Sequence, residues 1–263
     1  MKLYIFTIVL DGMPFLPMQL STLNQLTCDW RWIIVEGAAA NTNCTSWCKK
    51  QEPRFSMDGS HQFIMSLWDH PRIRVIGNKF WPGGKVSMCN AALEAIPEPC
   101  TLLQMDADEL WSAPKLDALS SLLTKNYYRA ARFECRYFVG PNLVTIGENS
   151  YGNNPGEWLR LWSYLPGMRF RRHEPPELVC SDKRPISPGS IMDRWQTKAN
   201  GLRFDHWAYV FESQVAYKES FYGYADATEH WRSLQKYQGP FPVPLKRFLP
   251  WVDKNSLVGK LFF

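Results

Sequence analysis

Residues 102–110 read LLQMDADEL, and this stretch decides the fold. Leu102, Leu103 and Met105 belong to a short apolar run of the kind a strand buried on both faces requires. The run stops at Asp106-Ala107-Asp108-Glu109. In an extended segment residues two apart share a face, so Asp106 and Asp108 project to one side. An acidic pair just past the carboxyl end of a buried strand lies where open α/β sheets take their ligands. Hard oxygen donors there suit Mg2+ or Mn2+, which would bridge them to a diphosphate. The plainer alternative is a solvated turn, or a helix N-cap ahead of Pro114.

Working outward, the first half of the chain alternates strand-like and helix-like stretches, the pattern of a mostly parallel sheet with helices on its faces. Lys2 to Leu10 reads as a strand; Asp11 interrupts it too early for a secretory leader, and no small-residue cleavage site follows. Pro14 to Leu26 has helical spacing, with proline acceptable at a helix start. Trp32 to Val35 is a second strand, His61 to Trp68 a short helix, Ile73 to Ile76 a third strand, Val86 to Ile96 a helix and Thr101 to Met105 a fourth strand. The fold class is therefore α/β: one domain over 1–263, with a nucleotide-binding half at 1–110 and a less regular half at 111–263. In that second half Arg129–Val139 and Leu143–Ile146 predict a strand pair, Pro175–Ser190 a loop and Ala208–Tyr222 a helix.

Composition narrows the function. The 263 residues carry 30 Lys and Arg against 25 Asp and Glu, a net charge of +5, and 45% are hydrophobic. That excludes a disordered chain. No run of Lys or Arg exceeds a pair, which argues against a nucleic-acid partner. Seven cysteines at irregular spacings do not make a disulfide framework, and Cys44 and Cys48 have no second pair to complete a zinc site. Free thiols fit a reducing, cytoplasmic setting. No run of about 18 apolar residues offers a transmembrane span, while peripheral attachment to a membrane carrying a lipid acceptor stays compatible.

The order of these elements resembles the inverting, family 2 glycosyltransferases of the GT-A fold. The resemblance covers roughly residues 1 to 110: YIFTIVLDG as first strand, PFLPMQLSTLNQL as helix, WIIVEGAA as a strand ending in an acid, GGKVSMCNAAL as loop and helix, and a strand running into MDADE as the DxD motif. It implies a donor site in which Leu10 and Asp11 lie beside the nucleobase and Glu36 holds the base or ribose. The family usually has Asp there, followed by Ser or Asn, and Glu36-Gly37-Ala38 departs from this. Lys85, at a helix start, would meet phosphate through its charge and the helix N-terminus; its alternative is a solvated surface lysine. Asp106 would approach ribose and metal, and Asp108 would ligate the metal.

Further along, Glu157 in GEWLRLW resembles the family's catalytic acid, with Glu148, Glu174 and Asp182 as other candidates. The plain alternative for Glu157 is an i, i+3 pair with Arg160 on a helix surface. His206 in RFDHWAYVFESQVAYKESFYGY resembles the metal-joining histidine of several GT-A families, with Ser213 and Lys218 compatible; His173 competes for that role, and Arg169, Arg171 and Arg172 beside it form a stripe able to neutralise a diphosphate or merely face solvent. Among twelve tryptophans, Trp81, Trp111, Trp158, Trp195 and Trp207 are candidate sugar platforms or core. The implied activity is metal-dependent transfer of a sugar from a nucleoside diphosphate (UDP, GDP or dTDP) to a glycan or other hydroxyl acceptor, with inversion. The alternatives are a nucleotidyltransferase, which would want a glycine-rich basic loop where LDGMPFLP stands, and a non-catalytic carbohydrate-binding module of the same fold.

Overall fold

The computed structural model describes residues 1–42, 49–154, 156–252 and 256–261. The Cys44/Cys48 pair lies outside the described residues. Among the described ones Cys28, Cys89, Cys100, Cys135 and Cys180 are free thiols.

The first half follows the expected alternation: β1 (Leu3–Val9), α1 (Phe15–Leu23), β2 (Trp30–Ala39), α2 (Ser60–Ser66), β3 (Ile73–Trp81), α3 (Gly84–Glu94) and β4 (Cys100–Gln104). After a four-residue connection come β5 (Glu109–Leu110), α4 (Ala113–Asn126), β6 (Ala130–Arg132), β7 (Glu134–Gly140), β8 (Leu143–Ile146) and β9 (Leu159–Tyr164). The chain ends with β10 (Arg169–His173), β11 (Pro176–Val179), β12 (Ile191–Met192), α5 (Arg194–Ala199), β13 (Arg203–His206), α6 (Glu212–Tyr222), α7 (Ala227–Gln235), β14 (Val243–Pro244) and β15 (Leu257–Lys260).

These strands build two main sheets. A seven-stranded sheet runs β12-β6-β9-β4-β1-β2-β3 and a six-stranded sheet β14-β15-β8-β7-β13-β5, with β10 and β11 a separate hairpin. Strands β4, β1, β2 and β3 are mutually parallel, whereas β9 enters antiparallel between β4 and β6. The architecture is thus α/β with a mixed, mostly parallel central sheet. From β1 the chain proceeds to β2 and β3 on one side and returns to β4 on the other. That reversal leaves a crevice past the carboxyl ends of β1 and β4.

Several expected boundaries move for identifiable reasons. Strand β2 runs on to Ala39 through a bulge between Glu36 and Ala38, where Gly37 has φ +134° and its missing Cβ would lie 1.7 Å from the Asn78 carbonyl oxygen. The expected strand at 129–139 breaks at Phe133, so β6 joins one sheet and β7 the other. Residues 176–179, expected in a loop, pair with β10. Helix α6 starts at Glu212 because the Gln214 side chain closes a capping turn onto the Val210 and Phe211 N–H groups. The acidic stretch caps no helix, since Ser112 stands at the N-cap of α4.

One continuous apolar cluster links the halves, from Leu3, Ile5 and Trp32 through Trp111 and Phe133 to Phe204, Trp231 and Val258. A second fills the other face of the central sheet around Phe6, Trp162 and Phe170. Among the described residues no helix is long and apolar enough to cross a membrane.

The bulge at Gly37 yields a test. Gly37→Ala is expected to cost about 2–4 kcal/mol in urea unfolding, because both the φ angle and the Asn78 carbonyl oppose a Cβ. Gly189→Ala, where a Cβ meets nothing within 4 Å, is the control and should change stability by less than about 0.5 kcal/mol.

Candidate active site

A cavity of about 1170 Å³ occupies the crevice. Its wall takes Ile8 to Met13 from the end of β1, Gly37, Ala39 and Ala40 from β2, Lys85 and Met88 from α3, and Asp106 to Asp108 after β4. The rest of the lining comes from 151–152, 156–158, the turn at 173–176, His206 and α6.

The acidic turn is held by side chains from far away. The Gln19 amide of α1 donates to the carbonyl oxygens of Asp106 (2.8 Å), Ala107 (3.1 Å) and Glu109 (3.0 Å). Gly12 lets the β1 loop press against the same turn, since a Cβ there would lie 2.7 Å from Val9 Cγ2 and 3.2 Å from Ala107 Cβ. Arg160, buried on β9, donates to Asp106 Oδ2 (2.8 Å) and twice to Glu109 Oε1 (2.8 and 2.9 Å). The expected helical pairing of Glu157 with Arg160 is corrected by this: residue 160 lies in a strand, and its partners are the acids of the turn. Burial pushes the Asp106 carboxyl up, but the Arg160 guanidinium, His173 and the Gln104 amide together outweigh it and hold the group below the usual carboxylate range. Glu109, wholly enclosed, is pushed up to about 8 by burial, against the pull of Arg160.

Register brings the histidine in. Strand β5 pairs antiparallel with β13, His206 opposite Glu109, and the Trp207 N–H continues the ladder to the Asp108 carbonyl at 2.8 Å. His206 Nε2 thereby lies 3.3 Å from Asp108 Oδ1. Burial raises the Asp108 carboxyl, yet the His206 imidazole and the Lys218 ammonium prevail and hold it well below its ordinary value. Asp106, by contrast, turns its carboxylate to Arg160. Among the described residues no group of three His, Cys, Asp or Glu is arranged around one ion. Asp108 and His206 form a two-donor set, carboxylate plus imidazole on the cavity wall. That fits a divalent ion whose remaining positions are completed by phosphate oxygens and water, the way Mg2+ is held with phosphate substrates.

The cations divide along the cavity. Lys85 sits in the first turn of α3. Lys218 of α6 lies over the Tyr209 ring at 4.8 Å; burial lowers its pKa while Asp108 opposes the shift. Arg54 forks onto Asp11 at 3.2 and 2.6 Å, and the Met57 N–H adds a third bond to that carboxylate. Leu10 and Asp11 thus lie on the wall, whereas Glu36, 1% exposed, does not; it accepts from the Ser56 N–H (3.0 Å) and contacts His61 Nδ1 (2.7 Å). Glu36 organises the loop behind the wall.

Glu157 faces the cavity, its carboxylate accepting from the Asn154 N–H at 2.7 Å. Burial raises its pKa, with Asn154 and His206 pulling it down and Glu174 adding to the rise. Of the other candidate bases Glu174 also lines the cavity, while Glu148 and Asp182 are exposed elsewhere, Asp182 pairing with Arg184. His173 lines it too, with Nε2 3.4 Å from the Gln104 amide. The arginine stripe lies off the wall, with Arg169 reaching Glu94 and Arg171 reaching Glu177. Of the five tryptophans only Trp158 lines the cavity; Trp111 stacks on Phe204 in the core, Trp81 bonds the Glu36 carbonyl, Trp207 packs on Phe15 and Phe138, and Trp195 lies against Arg194 and Lys198. Ser213 lines it.

Sequence reasoning did not find Gln19 and Arg54, and saw Arg160 only as a surface partner. Arg160 carried a signal: in WLRLW it is flanked by apolar residues, and an arginine inside a buried strand demands a carboxylate.

No protein-family model matches the sequence, and no curated protein matches it. Among solved structures the chain is similar to S. aureus TarS 1-349, at 12% identity and a TM-score of 0.44 over 62% of this chain and 47% of that one. The same protein in complex with UDP-GlcNAc gives 12%, 0.44, 62% and 45%. The mannosyltransferase PcManGT from Pyrobaculum calidifontis, in complex with GDP-Man and Mn2+, gives 15% identity and a TM-score of 0.37 over 51% and 35%. The chain spans less than half the length of each of these, and the likeness concerns fold alone.

Two outcomes follow from the buried charges. Arg160→Met strands Glu109 without a partner and is expected to cost about 3–5 kcal/mol in urea unfolding, while adding Glu109→Met should recover more than about half. His173 has its pKa lowered from 6.5 to about 3, chiefly by burial and then by Lys85. The unfolded chain therefore binds a proton below 6.5 that the folded chain refuses, so stability falls as pH drops from 6.5 toward 3. A His173→Asn variant should lose less over that window in pH-dependent denaturation.

Proposed function

We propose that this chain is a glycosyltransferase that moves a sugar from a nucleoside diphosphate donor to an acceptor hydroxyl, with a divalent cation and inversion at the anomeric carbon. One observation carries the reading: Asp108 and His206 lie 3.3 Å apart on the wall of a large cavity at the sheet's reversal point, and Lys85, Lys218 and Glu157 line the same cavity. The cavity's roughly 1170 Å³ exceeds the ~300–1,000 Å³ of a typical single-ligand pocket, as a donor and an acceptor together require.

In this reading Leu10 and Asp11 border the nucleobase, and Arg54, engaged by Asp11, shapes that end. Asp108 and His206 would hold Mn2+ or Mg2+, whose chemistry there would be charge stabilisation of the departing diphosphate. Lys85, at the N-terminus of α3, and Lys218 draw the donor phosphates to the acidic turn and offset the negative charge that grows on the leaving oxygen. Arg160 keeps Asp106 ionised and oriented toward the ribose side. Glu157, made more basic by burial, takes the acceptor hydroxyl's proton as that oxygen attacks the anomeric carbon and the bond to the diphosphate breaks on the opposite face.

Thermal shifts with UDP, GDP, dTDP and CMP, each with and without Mn2+, test the reading; UDP and GDP, the nucleotides in the complexes named above, come first. A stabilisation that needs both one nucleotide and the metal is expected, about 2.7 kcal/mol at a hundredfold excess over Kd. Asp108→Asn should abolish the metal-dependent part. Glu157→Gln should keep donor binding and lower kcat by about 10²–10⁴. Unchanged metal-dependent binding and turnover in Asp108→Asn would sink the assignment, and NMR of the product linkage checks inversion. Release of pyrophosphate from a nucleoside triphosphate, without turnover of sugar nucleotides, would favour a nucleotidyltransferase instead.

A further inference from the structure

The hairpin of β10 and β11 belongs to neither main sheet, yet its turn at 173–176 lines the cavity. The place of that turn is set by how the hairpin is attached. Strand β10 packs on α3, and on the exposed side Arg169 reaches Glu94 of that helix. On the inner side Phe170, 3% exposed, lays its ring against Phe6 at 5.5 Å and Trp162 at 5.4 Å.

In an antiparallel pair every second residue turns its N–H and C=O away from the partner strand, and where such groups are buried they need partners from elsewhere. At Phe170 one side chain supplies both. Asn90, the asparagine of GGKVSMCNAAL, accepts from the Phe170 N–H through Oδ1 at 2.8 Å and donates through Nδ2 to the Phe170 carbonyl oxygen at 3.1 Å. A helix amide thus stands where a third strand would. Being planar, it keeps both bonds only over a narrow range of positions of β10 on α3.

The two joined elements bring different groups to the same wall. Helix α3 carries Lys85 and Met88; the hairpin carries His173, 8% exposed, and Glu174. Lys85, Asp106 and Arg160 act on His173 electrostatically, and Arg160 and Lys218 on Glu174. Sliding of the hairpin along the helix would carry His173 and Glu174 away from these partners and leave Lys85 where it is.

We infer that Asn90 is a positioning residue: its amide clamps β10 to α3 and so sets where the 173–176 turn closes the cavity beside Lys85 and the acidic turn. The inference rests on the glycosyltransferase reading for the ligand on which the turn closes. The clamp itself is read without a ligand.

Asn90→Leu keeps the volume and removes both bonds. Asn90→Asp keeps an acceptor for the Phe170 N–H, sets a carboxylate against the Phe170 carbonyl, and serves where the leucine variant does not fold. Hydrogen exchange of the β10–β11 amides and carbethoxylation of His173 by diethyl pyrocarbonate are each expected to quicken about tenfold, the factor that a net loss of one or two hydrogen bonds carries. Exchange in β1 and β4 and carbethoxylation of His70 should not change. Calorimetric binding of UDP or GDP with Mn2+ should weaken about tenfold. In a His173→Ala/Glu174→Ala background the same Asn90 change should cost less than about twofold, because the turn then presents neither side chain. Unchanged exchange and carbethoxylation overturn the inference, as does nucleotide binding that is unaffected by the Asn90 change or loses as much in the double background. A parent chain that binds neither nucleotide removes the transferase reading, and exchange and carbethoxylation then decide the clamp alone.

Discussion

The buried contact of Arg160 with Asp106 and Glu109 is the constraint on which the rest depends. The connection between β4 and β5 carries the chain from the central sheet into the second, and it holds two acids next to a third that is fully enclosed. Unpaired carboxylates in that position would either pull the turn open to water or protonate. One guanidinium from β9 holds the turn closed and keeps Asp106 ionised, while burial still pushes Glu109 up to about 8, and Gln19 fastens the carbonyls of the same turn. With Asp106 committed to Arg160, Asp108 is left to face His206. The division of labour between two acids of similar chemistry is thus set by which of them the arginine can reach.

The same contact couples stability to chemistry. The cavity wall is assembled from both sheets, and its charges are arranged so that most have a protein partner: Asp11 with Arg54, Asp106 with Arg160, Asp108 with His206. What the wall offers a ligand is therefore a small remainder of charge, in which Lys85 and Lys218 stand beside Glu157 and Glu174.

Much of the fold was legible in the sequence because its signals are local. The apolar runs read at 2–10 and 101–105, the helical spacing at 14–26 and the acids after β4 each declare themselves within a few residues, and strands and helix form there. The second half was less legible. Whether Arg129–Val139 makes one strand or two depends on Phe133 turning the chain from one sheet into the other, and β5 and β12 are two residues each, too short for any periodicity. At the site, Asp106 and Asp108 were singled out by residue type and order, Lys85, Glu157 and His206 by the family resemblance, and all line the cavity. Glu36 lies behind the cavity wall, and its neighbours in the sequence say nothing of Ser56 and His61, which enclose it. Gln19 escaped notice for the same reason: an amide in an amphipathic helix looks like surface until three distant carbonyls are found beneath it.

The pairing of β5 with β13 has a consequence for how the protein comes into being. Asp108 lies in the first half of the chain and His206 in the last quarter, and nearly the whole middle of the polypeptide must be folded before that short ladder can close. Long loops make such contacts late ones, since the chain entropy is lost before the contact is gained. A nascent chain emerging from the ribosome would form β1 to β4 and display its acidic turn long before any imidazole arrives to face it. The Asp108–His206 pair forms in one of the closing steps of folding, so a product truncated before β13 lacks it.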